Sequence, residues 1–364
     1  MKVAALVPYH TDFCAGQRFR IELWARHLRS RGIEVDYFPF ASTDLTSALY
    51  QKGRTLGKAQ RMLLCFVDQL SRVMVASKPD VVFIYREASL IGPSLIESLT
   101  KRWKAPIIYD IDEPLFVPYV SPSNGWLSAL KFGSKTHSLF RMSAQVFAVN
   151  KAIADYASRF TRNVSIVPMA VDTERYRPGL KPAGLKPRIG WVGTITNQPN
   201  LELVAKPLAR IAETRGAILR VIADEPVSLP GVEVEFVKWN YEQEVSLLQD
   251  CQIGIVPVRA SAWSPWKFFF KLIQYMSLGL AVVATPTGSN LEIVRDGVNG
   301  LYADSEDEWY EKVVQLIDNP TLRDSMGKAA RETAVNNFSL SRQIDFIENA
   351  FRTSIKVNKA QPRH

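Results

Sequence analysis

Residues 264–301, SPWKFFFKLIQYMSLGLAVVATPTGSNLEIVRDGVNGL, decide the fold. Apolar residues recur at three- and four-residue spacing in the first part of this stretch, which predicts a helix. Gly279 ends that helix, and residues 280–285 form an apolar run of buried-strand length. A turn containing Gly288 then leads into a second helix. This order of elements is typical of a parallel α/β sheet, in which ligands bind at the carboxyl ends of the strands.

Polar residues gather on one stripe of the first helix and at the start of the second. They are Lys267, Lys271 and Gln274 on the first helix, and Gly288, Ser289, Asn290 and Glu292 after the strand. Small residues before a helix leave backbone N–H groups that can bind an anion. The stretch therefore predicts a site for a phosphate-bearing ligand.

The order of Lys271, Gly279, Glu292 and the motif Asp296-Gly-Val-Asn-Gly300 resembles the donor-binding signature of glycosyltransferase family 4, the group 1 glycosyltransferases. The likeness continues to Ser339 and spans roughly 75 residues, which is more specific than a single glycine motif. The resemblance implies the GT-B fold, an α/β fold with two Rossmann-like parallel-sheet domains that face a cleft. It also implies a C-terminal helix that crosses back to the N-terminal domain.

Length and composition agree with two domains. The chain has 364 residues, of which 47% are hydrophobic and 22% charged, so both domains can bury a core. Residues 178–187 contain three prolines and two glycines, which indicates a linker. We predict an acceptor-side domain at 1–177, the linker at 178–187, a donor-binding domain at 188–340, and the crossing helix and tail at 341–364.

The net charge of +9 lies entirely in the first half of the chain. Residues 1–178 hold 24 Lys and Arg against 15 Asp and Glu, and the remaining residues are balanced. This excess favours an anionic partner such as a membrane surface or a lipid diphosphate, although solvated surface arginines would also explain it. Part of the excess lies on a helix predicted at 44–78, whose basic face includes Lys52, Arg54, Lys58 and Arg61. No nucleic-acid recognition motif is present, so we expect no nucleic-acid partner.

Other features bear on where the protein works. Residues 121–141 mix aromatic and basic side chains, which suits either a membrane interface or a cover over the first core. Cys14, Cys65 and Cys251 lack metal-ligand spacing. No apolar run reaches the length of a membrane span, and the first strand stops at Pro8, too early for a signal peptide. We expect a cytoplasmic protein, with peripheral attachment to the inner face of the membrane as the second expectation.

Two segments of the first domain supply candidate site residues. The segment Gly16-Gln-Arg18-Phe-Arg20 lies at the start of a helix after the first strand, where an anionic ligand binds readily. The helix is predicted at 17–31, and its periodicity places four side chains inward, Ile21, Leu23, Trp24 and Leu28. Asp110-Ile-Asp112 follows another strand, and it suggests a group at the reacting sugar or acceptor, a metal-binding Asp-x-Asp motif, or a helix cap. The downstream signature argues against the metal, so we predict catalytic roles for Asp110 and Asp112 and expect no metal. In the resembled family the first loop borders the interdomain cleft.

The second domain departs from the family pattern in two places. Gly193 follows a strand and allows close backbone approach, as a pyrophosphate loop requires. The family has an arginine just after this strand and a lysine-glycine pair further on, whereas this chain has Thr194 and Asn197. The diphosphate must then find its cations elsewhere, and the candidates are Lys271, Lys267 and Arg259. The family also has two glutamates eight residues apart. Here the later one is Gln274, which can still hydrogen-bond ribose hydroxyls, and the earlier one is a tryptophan, with Glu292 as its possible replacement.

These residues predict an enzyme that uses a nucleotide sugar. Departure of the nucleoside diphosphate builds negative charge on the phosphates, which Lys271 and the backbone amides of residues 288–290 would stabilise. The resemblance implies retention of configuration and a UDP- or GDP-linked donor without a further cofactor. The expected acceptor is a glycan or a lipid-linked sugar in bacterial surface polysaccharide assembly. The alternatives are a non-catalytic relative that binds a nucleotide sugar, and a nucleotide-sugar epimerase of the same fold.

Overall fold

The structure is a computed structural model that describes residues 1–49, 55–118, 133–179 and 186–360. The chain forms two compact units, Met1–Met169 with Arg342–His364, and Ala170–Ser341. The second unit thus begins earlier than the predicted linker. Residues 170–177 belong to it because the Val171 N–H donates to the Phe338 carbonyl at 2.9 Å and the Tyr176 hydroxyl donates to Glu244 at 2.5 Å. Residues 180–185 of the predicted linker lie outside the described residues.

The first unit contains a six-stranded parallel sheet in the order β2-β1-β3-β4-β5-β6. Its strands are β1 (Lys2–Val7), β2 (Glu34–Pro39), β3 (Val81–Tyr85), β4 (Ile107–Ile111), β5 (Gln145–Ala148) and β6 (Val164–Ile166). Four of the six have almost wholly buried side chains, as expected of a sheet covered on both faces. This sheet confirms the predicted α/β class for the first half of the chain.

The helices of the first unit are shorter than predicted. They are α1 (Ala15–Gln17), a π-helical turn (Arg18–Glu22), α2 (Leu23–Arg29), α3 (Thr43–Leu49), α4 (Thr55–Val75), α5 (Leu95–Leu99), α6 (Gly133–Met142) and α7 (Lys151–Ala157). Of the helix predicted at 44–78, the described residues form α3 and α4. Two parts of the predictions lie outside the described ranges, namely Lys52 and Arg54 of the predicted basic face and residues 121–132 of the aromatic-basic segment.

The helix predicted at 17–31 is kinked at Arg20. This residue has φ −116° and ψ −110°, outside the helical region, and its side chain is fully buried. The kink separates a short N-terminal turn from α2, whose Trp24 and Leu28 are buried as the periodicity predicts. A burial pattern alone could not reveal this kink, which lies at a residue whose side chain forms the long-range ion pair described below.

The last helix, α14 (Leu340–Ala360), belongs to the first unit from Arg342 onward, as predicted. The Trp24 indole donates to the Gln343 side chain at 2.7 Å, and the rings of Phe83 and Phe351 lie 6.1 Å apart. Apolar residues recur along this helix, and of these Ile344, Ile347 and Phe351 are buried and Ile355 is partly buried. The C-terminal helix therefore completes the core of the N-terminal unit.

The second unit contains another six-stranded parallel sheet, in the order β12-β11-β10-β7-β8-β9. Its strands are β7 (Arg188–Val192), β8 (Ile218–Ala223), β9 (Val234–Lys238), β10 (Ile253–Val256), β11 (Ala281–Ala284) and β12 (Leu301–Tyr302). Its helices are α8 (Ala205–Arg215), α9 (Glu244–Gln249), α10 (Phe270–Ser277), α11 (Asn290–Ile293), α12 (Glu306–Asp318) and α13 (Pro320–Phe338). The predicted helix–strand–loop–helix unit is confirmed as α10, β11 and α11.

Helix α10 differs from the prediction in its polar stripe. Every residue from Leu272 to Ser277 is buried, including Gln274 at 3% exposure. The helix lies against β10, β11 and α13, so it is enclosed on several sides. Lys267 precedes the helix, and Lys271 in its first turn remains partly exposed. Among the described residues, no helix is long and apolar enough to cross a bilayer.

Candidate functional site

Lys271 lies in the first turn of α10 with its ammonium group over an aromatic ring. Its Nζ is 4.2 Å from the centre of the Trp191 ring, a cation–π distance. Burial lowers the pKa of Lys271 from 10.5 to about 7. Within the four described ranges, no carboxylate pairs with this ammonium. Lys271 is thus a partly desolvated cation that an incoming anion would stabilise.

Trp191 is positioned for this contact by strand β7. Its side chain is fully buried, and its indole N–H has no hydrogen-bond partner among the described residues. Gly193 follows two residues later, and a Cβ there would lie 2.5 Å from the Trp191 ring. A glycine is therefore required at position 193, because the Trp191 ring lies so close to it. The role of Gly193 beside a pyrophosphate stays a prediction.

The turn between β11 and α11 is held against the segment before α10. Gly288 has φ +52°, and a Cβ would lie 2.6 Å from the Ser264 carbonyl. The Ser289 hydroxyl accepts from the Phe269 N–H at 2.9 Å, and the Ser289 N–H donates to the Lys267 carbonyl at 3.0 Å. These contacts attach the turn to the start of the helix that carries Lys271.

This attachment changes the roles predicted for the amides of the turn. The N–H groups of Ser289 and Asn290 already donate to carbonyl groups of the protein. The Asn290 side chain is fully buried and donates to the Thr285 carbonyl at 2.9 Å. The Gly288 N–H is the amide of residues 288–290 for which the described part of the chain supplies no acceptor. Glu292 is exposed on α11, which has only four residues.

The other predicted cations of this unit are arranged differently from Lys271. Arg259 pairs with Glu202 at 2.8 Å and is half exposed, so its charge is already balanced. Lys267 is partly buried just before α10, and its carbonyl holds the turn. Thr194 is exposed, and its hydroxyl bonds within its own loop to Thr196 and Asn197. Of the candidates Lys271, Lys267 and Arg259, Lys271 is the one that combines desolvation with the lack of a carboxylate partner.

Gln274 belongs to a buried network rather than to a ligand surface. Its amide nitrogen donates to Glu244 and to the Tyr176 hydroxyl, both at 3.1 Å, and Tyr176 donates to the other oxygen of Glu244 at 2.5 Å. Burial, and then the Glu244 charge, raise the pKa of Tyr176. Gln274 is therefore not placed to touch a ribose, which corrects the prediction. The sequence missed Glu244, which supplies a carboxylate beside position 274 from α9.

Asp110 forms a fully buried ion pair in the first unit. The Arg20 guanidinium donates to both of its carboxylate oxygens, and it also donates to the Val167 carbonyl at 2.7 Å. Both side chains are completely buried. Burial raises the pKa of Asp110 to about 6, against the opposing charge of Arg20. Asp110 is therefore not placed to touch a substrate, which corrects its predicted catalytic role and the ligand role considered for Arg20.

Asp112 is bound to groups at the end of the neighbouring strand β3. It accepts from Arg86 at 2.6 and 2.8 Å and from the Tyr85 hydroxyl at 2.7 Å. Burial acts to raise the pKa of Asp112, but the Arg86 charge and hydrogen bonds lower it below its usual value. Gly16 packs on this cluster, since a Cβ there would lie 2.4 to 2.7 Å from Tyr85, Asp112 and Arg86. The catalytic role of Asp112 stays a prediction.

Arg18 and Arg86 are two further arginines near Asp112. Arg18 is partly exposed and donates to the Asp12 carbonyl at 2.7 Å, so it orders its own loop. Arg86 was not among the predicted site residues, although it follows β3 directly. It has a positive φ of 58°, uncommon for a residue with a side chain, and this conformation accompanies its bonds to Asp112. In the described residues, no group of three or more His, Cys, Asp or Glu is arranged to hold a metal.

Comparisons with known proteins give a family match in the second unit. Residues 186–319 match the family described as glycosyl transferases group 1. Two proteins of Methanocaldococcus jannaschii, both named uncharacterized glycosyltransferases, are similar to part of the chain. One is 30% identical over 95 residues, which is 26% of this chain and of that protein. The other is 27% identical over 116 residues, 31% of this chain and 29% of that protein.

Solved structures match nearly the whole chain at low identity. A sucrose-phosphate synthase from Thermosynechococcus elongatus superposes with a TM-score of 0.74 and 14% identity, over 98% of this chain and 100% of that chain. HepE of Anabaena, solved with UDP, superposes with a TM-score of 0.69 and 14% identity, over 97% and 100%. This chain therefore has the GT-B fold and resembles the group 1 glycosyltransferases, with the family match in residues 186–319.

Proposed function

We propose that this protein is a glycosyltransferase that uses a nucleotide-diphosphate sugar and retains the configuration of the transferred sugar. The observation that carries the proposal is the Lys271 ammonium, desolvated over Trp191 and without a carboxylate partner among the described residues. A diphosphate beside this ammonium would supply the missing negative charge. A cation held in a partly dry site interacts more strongly with such a ligand than a solvated one does.

In the reaction, Lys271 stabilises the negative charge that grows on the departing diphosphate. The Gly288 N–H is a second donor available for the same oxygens. The acceptor hydroxyl attacks from the side of the leaving group, and the departing phosphate takes its proton, so no protein carboxylate is needed as a base. This route agrees with the ion pairs of Asp110 and Asp112, whose carboxylates are engaged by arginines.

The donor and acceptor are proposed at the level of chemical class. HepE was solved with UDP and with UDP-glucose, which supports a uridine donor, and a GDP-linked donor is the alternative. We propose a glycan or lipid-linked acceptor in bacterial surface polysaccharide assembly, a cytoplasmic location, and contact of the basic first half with an anionic membrane surface. Sedimentation with anionic and neutral vesicles tests the membrane contact.

The test of the activity is nucleotide release from a panel of UDP- and GDP-linked sugars, with and without an acceptor extract. We expect release from one donor class and its loss in Lys271→Met, while Lys267→Met, a lysine change four residues earlier, retains most of it. Proton NMR of the product gives the anomeric configuration. Equal release by wild type and Lys271→Met would reject the proposed role of Lys271.

The same experiment separates the rival functions. A putative UDP-N-acetylglucosamine 2-epimerase from Listeria monocytogenes shares the fold with a TM-score of 0.62 at 11% identity, so the fold alone does not decide between transfer and epimerisation. An epimerase would convert the sugar nucleotide without an acceptor and without releasing nucleotide. A non-catalytic relative would bind a nucleotide sugar in calorimetry and leave it intact.

A further inference from the structure

The first unit has a cavity between two strands of its sheet, β5 and β6, and the last helix, α14. Its volume is about 370 Å³, within the range of ~300–1,000 Å³ that is typical of small-molecule sites. Amide and hydroxyl side chains line it from both sides, and they are Gln145, Asn163 and Ser165 from the sheet and Asn349, Thr353 and Ser354 from α14. All of these residues belong to the same compact unit.

The cavity lies at the opposite end of the sheet from Asp110 and Asp112. Gln145 is the first residue of β5, and Asn163 directly precedes β6, so the cavity is at the amino ends of these parallel strands. Asp110 and Asp112 lie at the carboxyl end of β4, the end at which open parallel sheets bind their reacting ligands. The cavity is therefore separate from the candidate site of the first unit.

Ser354 is a buried polar residue of this cavity whose hydroxyl lacks a hydrogen-bond partner in the described ranges. It is 8% exposed. A serine within a helix often donates to the carbonyl four residues earlier, as Ser71 donates to Val67 at 2.9 Å. Buried hydroxyls are normally paired, because an unpaired one is unfavourable. A ligand with a polar group in the cavity would supply the partner that Ser354 lacks.

Other polar groups of the cavity also have unused hydrogen-bonding capacity. The Gln145 amide nitrogen donates to the Ser165 hydroxyl at 2.8 Å, which fixes the Gln145 side chain and leaves its carbonyl oxygen as an acceptor. The side chains of Asn349 and Thr353, one turn apart on α14, bond to none of the described residues. The two walls therefore offer both donors and acceptors to a ligand.

Phe346 adds an aromatic surface to the same cavity. It is 42% exposed, and its ring lies 5.9 Å from that of Phe147 in the sheet, which supports it from one side. A pyranose ring has an apolar face of C–H groups and a rim of hydroxyl groups. An exposed aromatic ring beside amides and hydroxyls therefore suits a pyranose.

The charge of the lining distinguishes the kinds of ligand. None of the described residues that line the cavity is charged, and charged neighbours in the sequence, such as Arg162, Arg352 and Lys356, are not among the lining residues. A phosphate or carboxylate ligand would therefore enter without a counter-charge. A lipid chain would leave the amides and hydroxyls unpaired. A neutral sugar pairs these groups and requires no counter-charge.

We propose that this cavity is a binding site for a neutral mono- or disaccharide. The apolar face of one pyranose packs on Phe346, and its hydroxyls bond to Ser354, Asn349 and the Gln145 carbonyl oxygen. Binding here requires neither a sugar donor nor transfer, so it does not depend on the proposed function. The cavity is small and few groups contact the sugar, so we expect a dissociation constant of about 1 mM.

The test is saturation-transfer NMR of the full chain with glucose, galactose, mannose, N-acetylglucosamine, maltose and lactose, each between about 0.1 and 20 mM. We expect at least one of these sugars to bind. Its affinity should fall about three- to tenfold in Phe346→Ala, Ser354→Val and Asn349→Ala. Asn337→Ala, which removes an exposed amide from α13 in the second unit, should leave the affinity unchanged. Lys271→Met should leave it unchanged as well.

Three outcomes would overturn the proposal. They are no binding of any of these sugars, binding that is unchanged in all three cavity variants, and binding that is lost in Lys271→Met but kept in those variants. The last result would assign the sugar to the reaction site.

Two further measurements keep the test independent of folding and of the reaction. Circular dichroism and thermal unfolding show whether each variant is folded, and Asn349→Ala changes an exposed position, so it remains as a test if Phe346→Ala or Ser354→Val misfolds. Nucleotide release from the sugar donor should be the same in the cavity variants as in wild type. A failure of the proposed transfer activity is thereby distinguished from a failure of saccharide binding at the cavity.

Discussion

The ammonium nitrogen of Lys271 lies 4.2 Å from the centre of the Trp191 ring, with burial as the cause of its lowered pKa. A ring face attracts a cation but replaces only part of the hydration that burial removes. With a pKa of about 7, Lys271 is therefore close to half protonated at neutral pH. A bound anion and the solution pH therefore both change the protonated fraction of Lys271.

Binding of a nucleotide sugar should take up a proton at alkaline pH. With a pKa of about 7, free Lys271 is mostly neutral at about pH 8.5, and a bound diphosphate would raise its pKa and protonate it. We expect uptake of about one proton per site at that pH, and much less at about pH 6, where the lysine is already charged. Calorimetry in buffers with different ionisation enthalpies measures this number. UDP-glucose is a suitable ligand because its phosphates do not titrate near neutral pH.

The control for this measurement is Lys271→Met, which should bind more weakly and take up almost no proton. Lys267→Met should retain the uptake, because the proton belongs to Lys271. Uptake that is unchanged in Lys271→Met would assign the proton to another group and would remove the support for a diphosphate beside this lysine.

Lys271 should also lower the stability of the protein without ligand. Its folded pKa lies below the unfolded value, so the unfolded chain binds more protons between about pH 7 and 10.5 and stability rises with pH across that window. Below pH 7 the ammonium is charged in both states, and its burial is unfavourable in full. We therefore expect Lys271→Met to unfold at higher urea concentration than wild type at about pH 6, with a smaller difference at about pH 9.

A variant that is less stable than wild type at the lower pH would contradict this prediction. It would mean that Lys271 is already paired with an anionic group or well hydrated in the free protein. Lys267→Met again serves as the matched lysine change, and its unfolding should show no such dependence on pH.

The sequence predicted the sheets well because each strand is a run of apolar residues between turn signals, a pattern that depends on local sequence. It made Lys271 a candidate through the polar stripe of its helix and the resemblance to a family motif. It could not predict Trp191 as the neighbour of Lys271, because the two residues are 80 positions apart and meet only when β7 and α10 pack together. The same limit applies to Arg20, whose side chain pairs with Asp110, 90 residues away in the sequence.

For Gln274, the motif could not predict the direction of the side chain. The resemblance assigned it the role of a family glutamate, and motif position alone could not show that its side chain is directed into the unit. In the structure the neighbouring carboxylate comes from Glu244 on another helix, and Gln274 donates to it at 3.1 Å. The amide at position 274 is thus explained by its hydrogen bond to Glu244, a residue that lies outside the motif.

Restoring the family residue at this position should therefore destabilise the protein. In Gln274→Glu two carboxylates would lie within hydrogen-bond distance in a buried site, and the Glu244 oxygen would lose its donor. We expect a loss of about 1–3 kcal/mol in the free energy of unfolding at neutral pH. The loss should shrink as the pH falls toward 5, because the pair can then share a proton. Urea denaturation at several pH values measures it.

The exchanged double variant Glu244→Gln/Gln274→Glu is the control. It keeps one amide and one carboxylate in the network, so its stability should return to within about 1 kcal/mol of wild type. If Gln274→Glu alone is as stable as wild type and binds nucleotide sugar more tightly, position 274 faces the ligand and the network described here does not govern it.

Asp110 should behave as a structural residue. Asp110→Asn would leave the fully buried Arg20 guanidinium without its counter-charge, and removing one partner of a buried pair costs about 3–5 kcal/mol. Urea denaturation at pH 7 measures the loss. The activity of the remaining folded enzyme, expressed per folded molecule, should stay within a factor of about three of wild type, because Asp110 is fully buried in its pair with Arg20.

The matched control for Asp110→Asn is Asp155→Asn, the same change in an exposed ion pair. Asp155 pairs with Lys151 at 2.7 Å, and both side chains are about two-thirds exposed. Such pairs contribute little, so the free energy of unfolding should change by less than about 0.5 kcal/mol. Asp112→Asn completes the comparison, because Asp112 is the carboxylate for which a catalytic role is still predicted. A variant of Asp110 that unfolds like wild type but loses turnover would return Asp110 to the catalytic groups.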